Sequence, residues 1–328
     1  MTYRLPAGLA LALLATPAIA QDKTLTIYAP DYFASEWGPG PAIREAFEAQ
    51  CDCSIDYQTG DLLPRLKLEG ARAQADVAIG FDSTEMKQAR ETGLFAPHGV
   101  DTAALTLPID WQDEVFLPFD WSYLAFVYDN EALEEVPSSF EALVEAPDDL
   151  RIAIQDPRSS VSGLSLALWA DEVFGEEAEE KWADLAPKIT TVTPGWSESY
   201  GLFTEGEVDM VLSYTTSPAY HAIAEEDDTV SAAIFDEGHY MTIELAAQLE
   251  GAKEPELAAQ FMQFVVSPEF QSLIPTSNWS YPSALPKAEW PEGFQSIALP
   301  ENAIWLAEDE ADARREDAVE AWRQGLSR

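Results

Sequence analysis

Short continuous apolar runs alternate along this chain with segments whose apolar residues recur at helical spacing. Leu25 to Ala29 reads as a strand, and Pro41 to Gln50 as a helix with proline at its first position and Ile43 and Phe47 on one face. A strand over Ile55–Tyr57, a helix over Leu62–Leu68, a strand over Ala75–Gly80 and a helix over Thr84–Thr92 continue the pattern. Alternation of this kind predicts a mainly parallel sheet covered by helices. The run Val115 to Tyr128, aromatic-rich and broken by Pro118, predicts a long strand passing between lobes. Ser138 and Glu141 predict a capping box before Phe140. A second series follows: strand 152–155, helices 164–174 and 177–186, strand 189–193, helix 197–204, strand 209–213, helix 218–224 and strand 230–235. Tyr240 to Leu249 carries the chain back, and helices near 256–266 and 308–323 finish it.

The 328 residues suit two domains as a prior. The reading is an α/β chain of two lobes joined by two crossings: residues 21–119 and 243–328 in lobe 1, 120–242 in lobe 2, with crossings near 117–126 and 238–246. Residues 1–20 read as a secretory signal peptide, with Arg4 in the charged region, an apolar run over Leu9–Ala15 and an A-x-A site at Ala18–Ala20. The run is too short to span a bilayer, so cleavage after Ala20 and export are expected, with no membrane insertion.

Charge narrows the partners. Fifty-nine acidic against 18 basic residues give a net −41, which excludes a basic footprint for nucleic acid and disfavours anionic membranes. The acidity fits a solvated surface, and it also suits a cationic ligand. Export implies an oxidising compartment, so a local disulfide between Cys51 and Cys53, the only cysteines, is expected. A free thiol pair or half of a metal site are the alternatives. His98, His221 and His239 lack metal-ligand spacing, and no metal or cofactor is expected.

Ligands of open α/β sheets sit beyond the carboxyl ends of the strands. There the chain places Gly60-Asp61, the Ser-rich turn 159–162, the turn 194–197 with Trp196, and Tyr214-Thr215-Thr216-Ser217 before Pro218. The second, third and fourth of these open helices, whose N-termini offer unpaired N–H groups and partial positive charge. Each also serves as a plain helix cap. Trp196, Tyr214, Tyr220 and Trp279 lie in or beside loops, where aromatic rings suit a flat or cationic ligand.

Several strings carry a wider resemblance: Trp37-Gly38-Pro39-Gly40-Pro41, the Cys51-Asp52-Cys53 pair, residues 75–80, Gln155-Asp156-Pro157-Arg158, residues 195–203, the long string 212–221, Glu237-Gly238-His239-Tyr240 and Asn278-Trp279-Ser280-Tyr281-Pro282. With them the mature chain resembles the periplasmic thiamine-binding proteins of ABC-type importers. That resemblance implies a hinged two-lobe fold with two crossover strands. It also implies capture of thiamine and its mono- and diphosphate for a membrane permease and its ATPase, by a monomer. Carried over, ligand contacts fall on Gly60, Asp61, Ser160, Val161, Trp196, Tyr214, Thr215, Thr216, Ser217, Tyr220 and Trp279. The chain departs from the family at 60–61, where the turn is shortened, and at 159–162, where the family more often has a Thr-Pro pair.

Other classes compete with this reading. A ferric-iron-binding protein of similar fold would use neighbouring tyrosines and a histidine. Tyr214, Tyr220 and His221 resemble such a set without an adjacent tyrosine pair. A thiaminase-like enzyme would need a nucleophilic cysteine in the cleft, and Cys51 and Cys53 lie elsewhere, so no enzyme is expected.

Overall fold

The computed structural model describes residues 23–327, so the expected signal peptide lies outside the described residues. The first half forms β1 (Lys23–Ala29), α1 (Asp31–Ala34), α2 (Gly40–Glu48), β2 (Cys53–Thr59), α3 (Leu62–Glu69), β3 (Val77–Asp82), α4 (Met86–Glu91) and β4 (Phe95–Ala96). The long strand β5 runs Leu117–Asp129. Then come α5 (Phe140–Glu145), β6 (Ile152–Gln155), α6 (Val161–Phe174), α7 (Ala178–Leu185), β7 (Ile189–Thr193), α8 (Trp196–Thr204), β8 (Met210–Tyr214), α9 (Ser217–Tyr220) and β9 (Val230–Ala232). The return strand β10 spans His239–Leu249. The chain closes with α10 (Pro255–Val265), α11 (Pro268–Gln271), α12 (Ile274–Ser277), β11 (Tyr281–Pro282), α13 (Glu292–Gln295), β12 (Ala303–Ile304) and α14 (Glu308–Gly325).

The main strand order is β2-β1-β3-β10-β5-β8-β6-β7. β1 pairs in parallel with β2 and β3, and β6 in parallel with β7 and β8. The two long strands are antiparallel to each other and to their neighbours in that order, while β12 pairs in parallel with β10. Along β5, Leu117 to Tyr123 pairs with β10, and Leu124 to Tyr128 pairs with β8. One strand thus belongs to both sheets, as its long apolar run predicts.

Helices cover both faces of each sheet half. Ile43 and Phe47 of α2, and Phe261 and Val265 of α10, pack on Ile27, Val77 and Ile79. In the second half Trp169, Phe140 and Trp182 surround Ile152, Ile154 and Leu212. Asp76, buried before β3, accepts from the backbone N–H groups of Thr26 (2.8 Å), Lys253 (2.6 Å) and Glu254 (2.9 Å), tying three segments together. The Cys51–Cys53 disulfide is formed, as expected, at the entry to β2.

The capping box expected from Ser138 and Glu141 does not form. Ser139 takes the extended cap conformation, and its Oγ accepts from Ala142 N at 2.9 Å. Glu237 accepts from Phe140 N at 2.5 Å, and Glu141 instead pairs with Lys181 at 2.7 Å.

The helix α14 bridges the halves. Ala318 and Trp322 are buried with Trp182 and Leu185 of α7. A Cβ on Gly325 would meet the Trp182 Cβ at 2.3 Å, so only glycine permits this approach. At its other end Arg315 donates to Thr84 O at 2.5 Å, and Glu308 pairs with Arg90 of α4 at 3.0 Å.

The Trp37–Pro41 string turns back on α1. A Cβ on Gly38 would lie 2.0 Å from Tyr32 O and 2.7 Å from Phe33 O. Both are backbone atoms that cannot swing away. Gly38→Ala is expected to cost about 1–3 kcal/mol of stability through overpacking. Urea denaturation checks this, and an unchanged midpoint would mean the turn gives way freely.

Candidate functional site

Beyond the ends of β6, β7 and β8 lie the helix-opening turns expected from sequence. A buried hydrogen-bond chain joins them. Ser160 Oγ contacts Ser162 Oγ at 2.9 Å, and Ser162 Oγ donates to Gln155 Oε1 at 3.0 Å. Gln155 Nε2 donates to Ser199 Oγ (2.5 Å) and Leu212 O (3.0 Å). Ser199 Oγ donates to Trp196 O at 2.9 Å. Trp196 Nε1 donates to Ser213 Oγ at 2.9 Å, and Ser213 Oγ contacts Ser217 Oγ at 2.8 Å. Gln155, fully buried, is therefore the hub that fixes the turns relative to one another. Such satisfied buried networks rigidify a site.

The turns are not equivalent as caps. Ser160 caps α6, its Oγ 3.5 Å from Gly163 N, while Val161 is exposed. Gly195 and Thr216 precede α8 and α9 without a side-chain cap. Those helix N-termini leave backbone N–H groups without a side-chain acceptor, which suits an anionic group.

Trp196 is half-buried and stacks on Tyr200, with centroids 4.6 Å apart and planes at 22°. The Tyr200 hydroxyl contacts His221 Nε2 at 2.8 Å. Burial lowers the pKa of His221, against the raising effect of Asp227 and Glu225. Tyr214 ends β8, and burial raises its hydroxyl pKa, with the carboxylates of Asp82, Glu244 and Asp120 adding to the shift. Thr215 Oγ1 contacts Tyr281 OH at 3.0 Å. Tyr220 meets Trp279 edge to face, centroids 5.0 Å apart and planes at 85°, and Trp279 stacks on Phe294 at 6.4 Å. Trp279 itself has a left-handed φ of 53°, uncommon for a bulky residue and found where the surroundings over-determine a conformation.

Gly60 and Asp61 follow β2 in the other half. Gly60 has φ 141°, open space at its Cβ position and its N–H bonded to Ala29 O at 3.1 Å. Asp61 is exposed and precedes α3 without a side-chain cap. Among the described residues, no hydrogen bond joins either of them to Trp196, Tyr214, Tyr220 or Trp279.

Sequence reasoning missed a set of acids, of which Asp82 and Asp120 are buried and Glu244 half-buried. Asp82 ends β3, Asp120 lies in β5 and Glu244 in β10. Asp120 and Glu244 are directly paired across the two long strands. Asn278 Nδ2 donates to both, at 2.5 Å to Asp120 Oδ2 and 2.7 Å to Glu244 Oε2, and Tyr32 donates to Glu244 Oε1. Burial raises the pKa of each acid, and the charge of Glu244 pushes Asp120 further. The available signal was an acid within an otherwise apolar run, in Pro118-Phe119-Asp120-Trp121 and Thr242-Ile243-Glu244-Leu245.

This geometry joins two sheets through the shared strand β5, with polar turns and aromatic rings gathered where they meet. Residues 31–272 match the family model for bacterial extracellular solute-binding proteins. The chain belongs to that family. Among its solute-binding relatives is the thiamine-binding periplasmic protein of Escherichia coli, 45% identical over 98% of each chain. The thiamine-binding periplasmic protein of Salmonella typhimurium is 46% identical over 97% of this chain and 98% of its own. A solved periplasmic thiamin binding protein superposes with a TM-score of 0.89 at 45% identity, covering 94% of this chain and 97% of that one. A ferric binding protein from Campylobacter jejuni shares the fold with a TM-score of 0.75 at 17% identity, over 92% of this chain and 99% of its own. The two-lobe binding-protein fold expected from the sequence is therefore present, and the family's members are transport components rather than enzymes.

Proposed function

We propose that this chain is the periplasmic solute-binding component of an ABC importer and that it captures thiamine. The observation that carries this reading is the aromatic and hydroxyl-rich site on turns tied together by Gln155, in a chain 45% identical to a thiamine-binding relative along nearly its whole length. Trp196, Tyr214, Tyr220 and Trp279 supply ring faces for the flat aminopyrimidine and the cationic thiazolium. Thr215, Thr216 and Ser217 at α9, with Ser160 and Val161 at α6, would meet the hydroxyethyl group or the phosphate of thiamine mono- or diphosphate through helix N-termini. Gly60 and Asp61 would approach the ligand from the first lobe when the lobes close.

The lobes are taken as 21–119 with 243–328, and 120–242, hinged where β5 and β10 cross. A mature monomer beginning after Ala20 would deliver its ligand to an inner-membrane permease and its ATPase. Mass spectrometry of ligand released from freshly purified protein tests the reading. Recovery of thiamine or its phosphates is expected, and a different solute, with no thiamine binding by calorimetry, overturns it.

Trp196→Ala should weaken thiamine binding by roughly 1–3 kcal/mol through lost stacking and cation–π contact. Calorimetry would measure it. Binding within twofold of wild type would make Trp196 a packing partner of Tyr200 alone.

A further inference from the structure

We propose that Asp120 and Glu244 form the charge-reading floor of the ligand site, a carboxyl–carboxylate pair that faces the ligand's positive ring and releases its shared proton to solvent when that ring binds. The proposal rests on the thiamine reading above and assigns residues outside the aromatic set.

The register sets the first premise. Asp120 and Glu244 stand opposite each other on antiparallel strands, where Cβ atoms lie about 4.5–5.5 Å apart. Two carboxyls so close, one buried and one half-buried, do not readily both ionise, and they titrate as a pair. One amide nitrogen, Asn278 Nδ2, donates to both at 2.5 and 2.7 Å.

The second premise is an unmet demand. Asp120 is 1% exposed, and its Oδ1 has no hydrogen-bond partner. Ser122, two residues along and so on the same face of β5, is 5% exposed with an unpartnered Oγ. Leu124, next on that face, is paired with Tyr214. A strip of unsatisfied polar atoms thus leads from the acid pair toward an aromatic residue of the site. Buried polar atoms without partners cost stability unless a ligand or water meets them.

The surrounding charges are nearly all of one sign. Asp82 at the end of β3 and Glu85 just after it add negative charge. Tyr32 on α1, Tyr214 on β8 and Tyr240 on β10 stay neutral, because burial raises each hydroxyl pKa. Arg315 on α14 acts on Asp82 and Glu85, while the charges that act most strongly on Asp120 and Glu244 are those of carboxylates. A fixed cation arriving here favours the doubly ionised pair.

The test is calorimetry of the mature chain at pH 7.5 in two buffers of different ionisation enthalpy. Its ligands are thiamine and its neutral isostere with thiophene in place of thiazolium. The aminopyrimidine is common to both ligands, so their difference isolates the positive ring. Thiamine is expected to release about one proton more than the isostere. Asp120→Asn should abolish that difference and weaken thiamine about tenfold or more, leaving isostere affinity within about threefold. Equal proton exchange for the two ligands in wild type overturns the proposal, whether or not the variant folds. Equal loss of both affinities in Asp120→Asn also overturns it, since that marks a structural role. If the isostere and thiamine both fail to bind, the thiamine reading itself falls and takes this proposal with it.

Discussion

Trp169→Ala should lower the unfolding free energy by about 3–5 kcal/mol, the range for deleting a large aromatic side chain from a core. Trp169 is fully buried on α6. Its ring packs against Phe140 (centroids 4.6 Å), His239 (5.0 Å) and Phe235 (5.5 Å), and Nε1 donates to Gly238 O at 3.2 Å. Alanine would leave a cavity among rings that are themselves held by other contacts, and would orphan the Gly238 carbonyl. The neighbouring backbone has little room to collapse into the space: a Cβ on Gly238 would already sit 2.7 Å from Asn302 O. Trp169→Phe, which keeps most of the volume and loses the hydrogen bond, should cost less than half as much. Urea or guanidinium titration followed by circular dichroism measures both. A loss below about 1 kcal/mol for the alanine variant would show that the site repacks.

Trp169 also illustrates what the sequence makes legible. Its spacing to Leu166 and Val173 marks a helix face, and all three lie in or against one core cluster. The strands Ile152–Gln155 and Ile189–Thr193 match their expected spans end to end. The long aromatic-rich run containing Pro118 is the strand shared by both sheets, and most of its residues are buried whichever face they point to. The helix-opening turns follow from Ser, Gly and Pro placed just after strands.

Other features depend on contacts that no local pattern encodes. Gln155 appears in sequence as the last residue of a strand, and its role comes from reaching Ser162 seven residues on and Ser199 and Leu212 far along the chain. The cap of α5 falls on Ser139 rather than Ser138 because Glu237, from a distant turn, takes the Phe140 N–H. Asp120 and Glu244 look unrelated in sequence, and strand register alone makes them a pair. Asn278 reads as the first residue of an aromatic loop, yet its amide bridges that pair while Trp279 turns toward Tyr220. Long-range pairing of this kind is set by tertiary structure, so propensity and periodicity cannot report it.

Two groups, His239 and Glu85, should drive the pH dependence of stability in opposite directions over much the same window. His239 is fully buried, donates from Nδ1 to Leu124 O at 2.6 Å and accepts at Nε2 from Phe235 N at 2.8 Å. Protonation would destroy the acceptor, and burial lowers its pKa from 6.5 to about 4. The unfolded chain therefore binds this proton first, so its contribution is present above pH 6.5 and is lost as pH falls toward 4. Glu85 behaves conversely: burial and then the charge of Asp82 raise its pKa from 4.5 to about 7. Its contribution is present below pH 4.5 and is lost as pH rises toward 7. Each shift corresponds to roughly 3 kcal/mol across its range. Raised pKa values at Asp82, Asp120 and Glu244 act in the same direction as Glu85. The stability of Glu85→Gln relative to wild type should therefore climb between about pH 4.5 and 7. That of His239→Asn relative to wild type should decline between about pH 4 and 6.5. Slopes rather than absolute levels carry the test, because either substitution also alters packing by a constant amount. Urea titrations at half-unit pH steps would resolve them. Two parallel difference curves, or two flat ones, would show that neither group keeps its burial-shifted proton affinity in the folded protein.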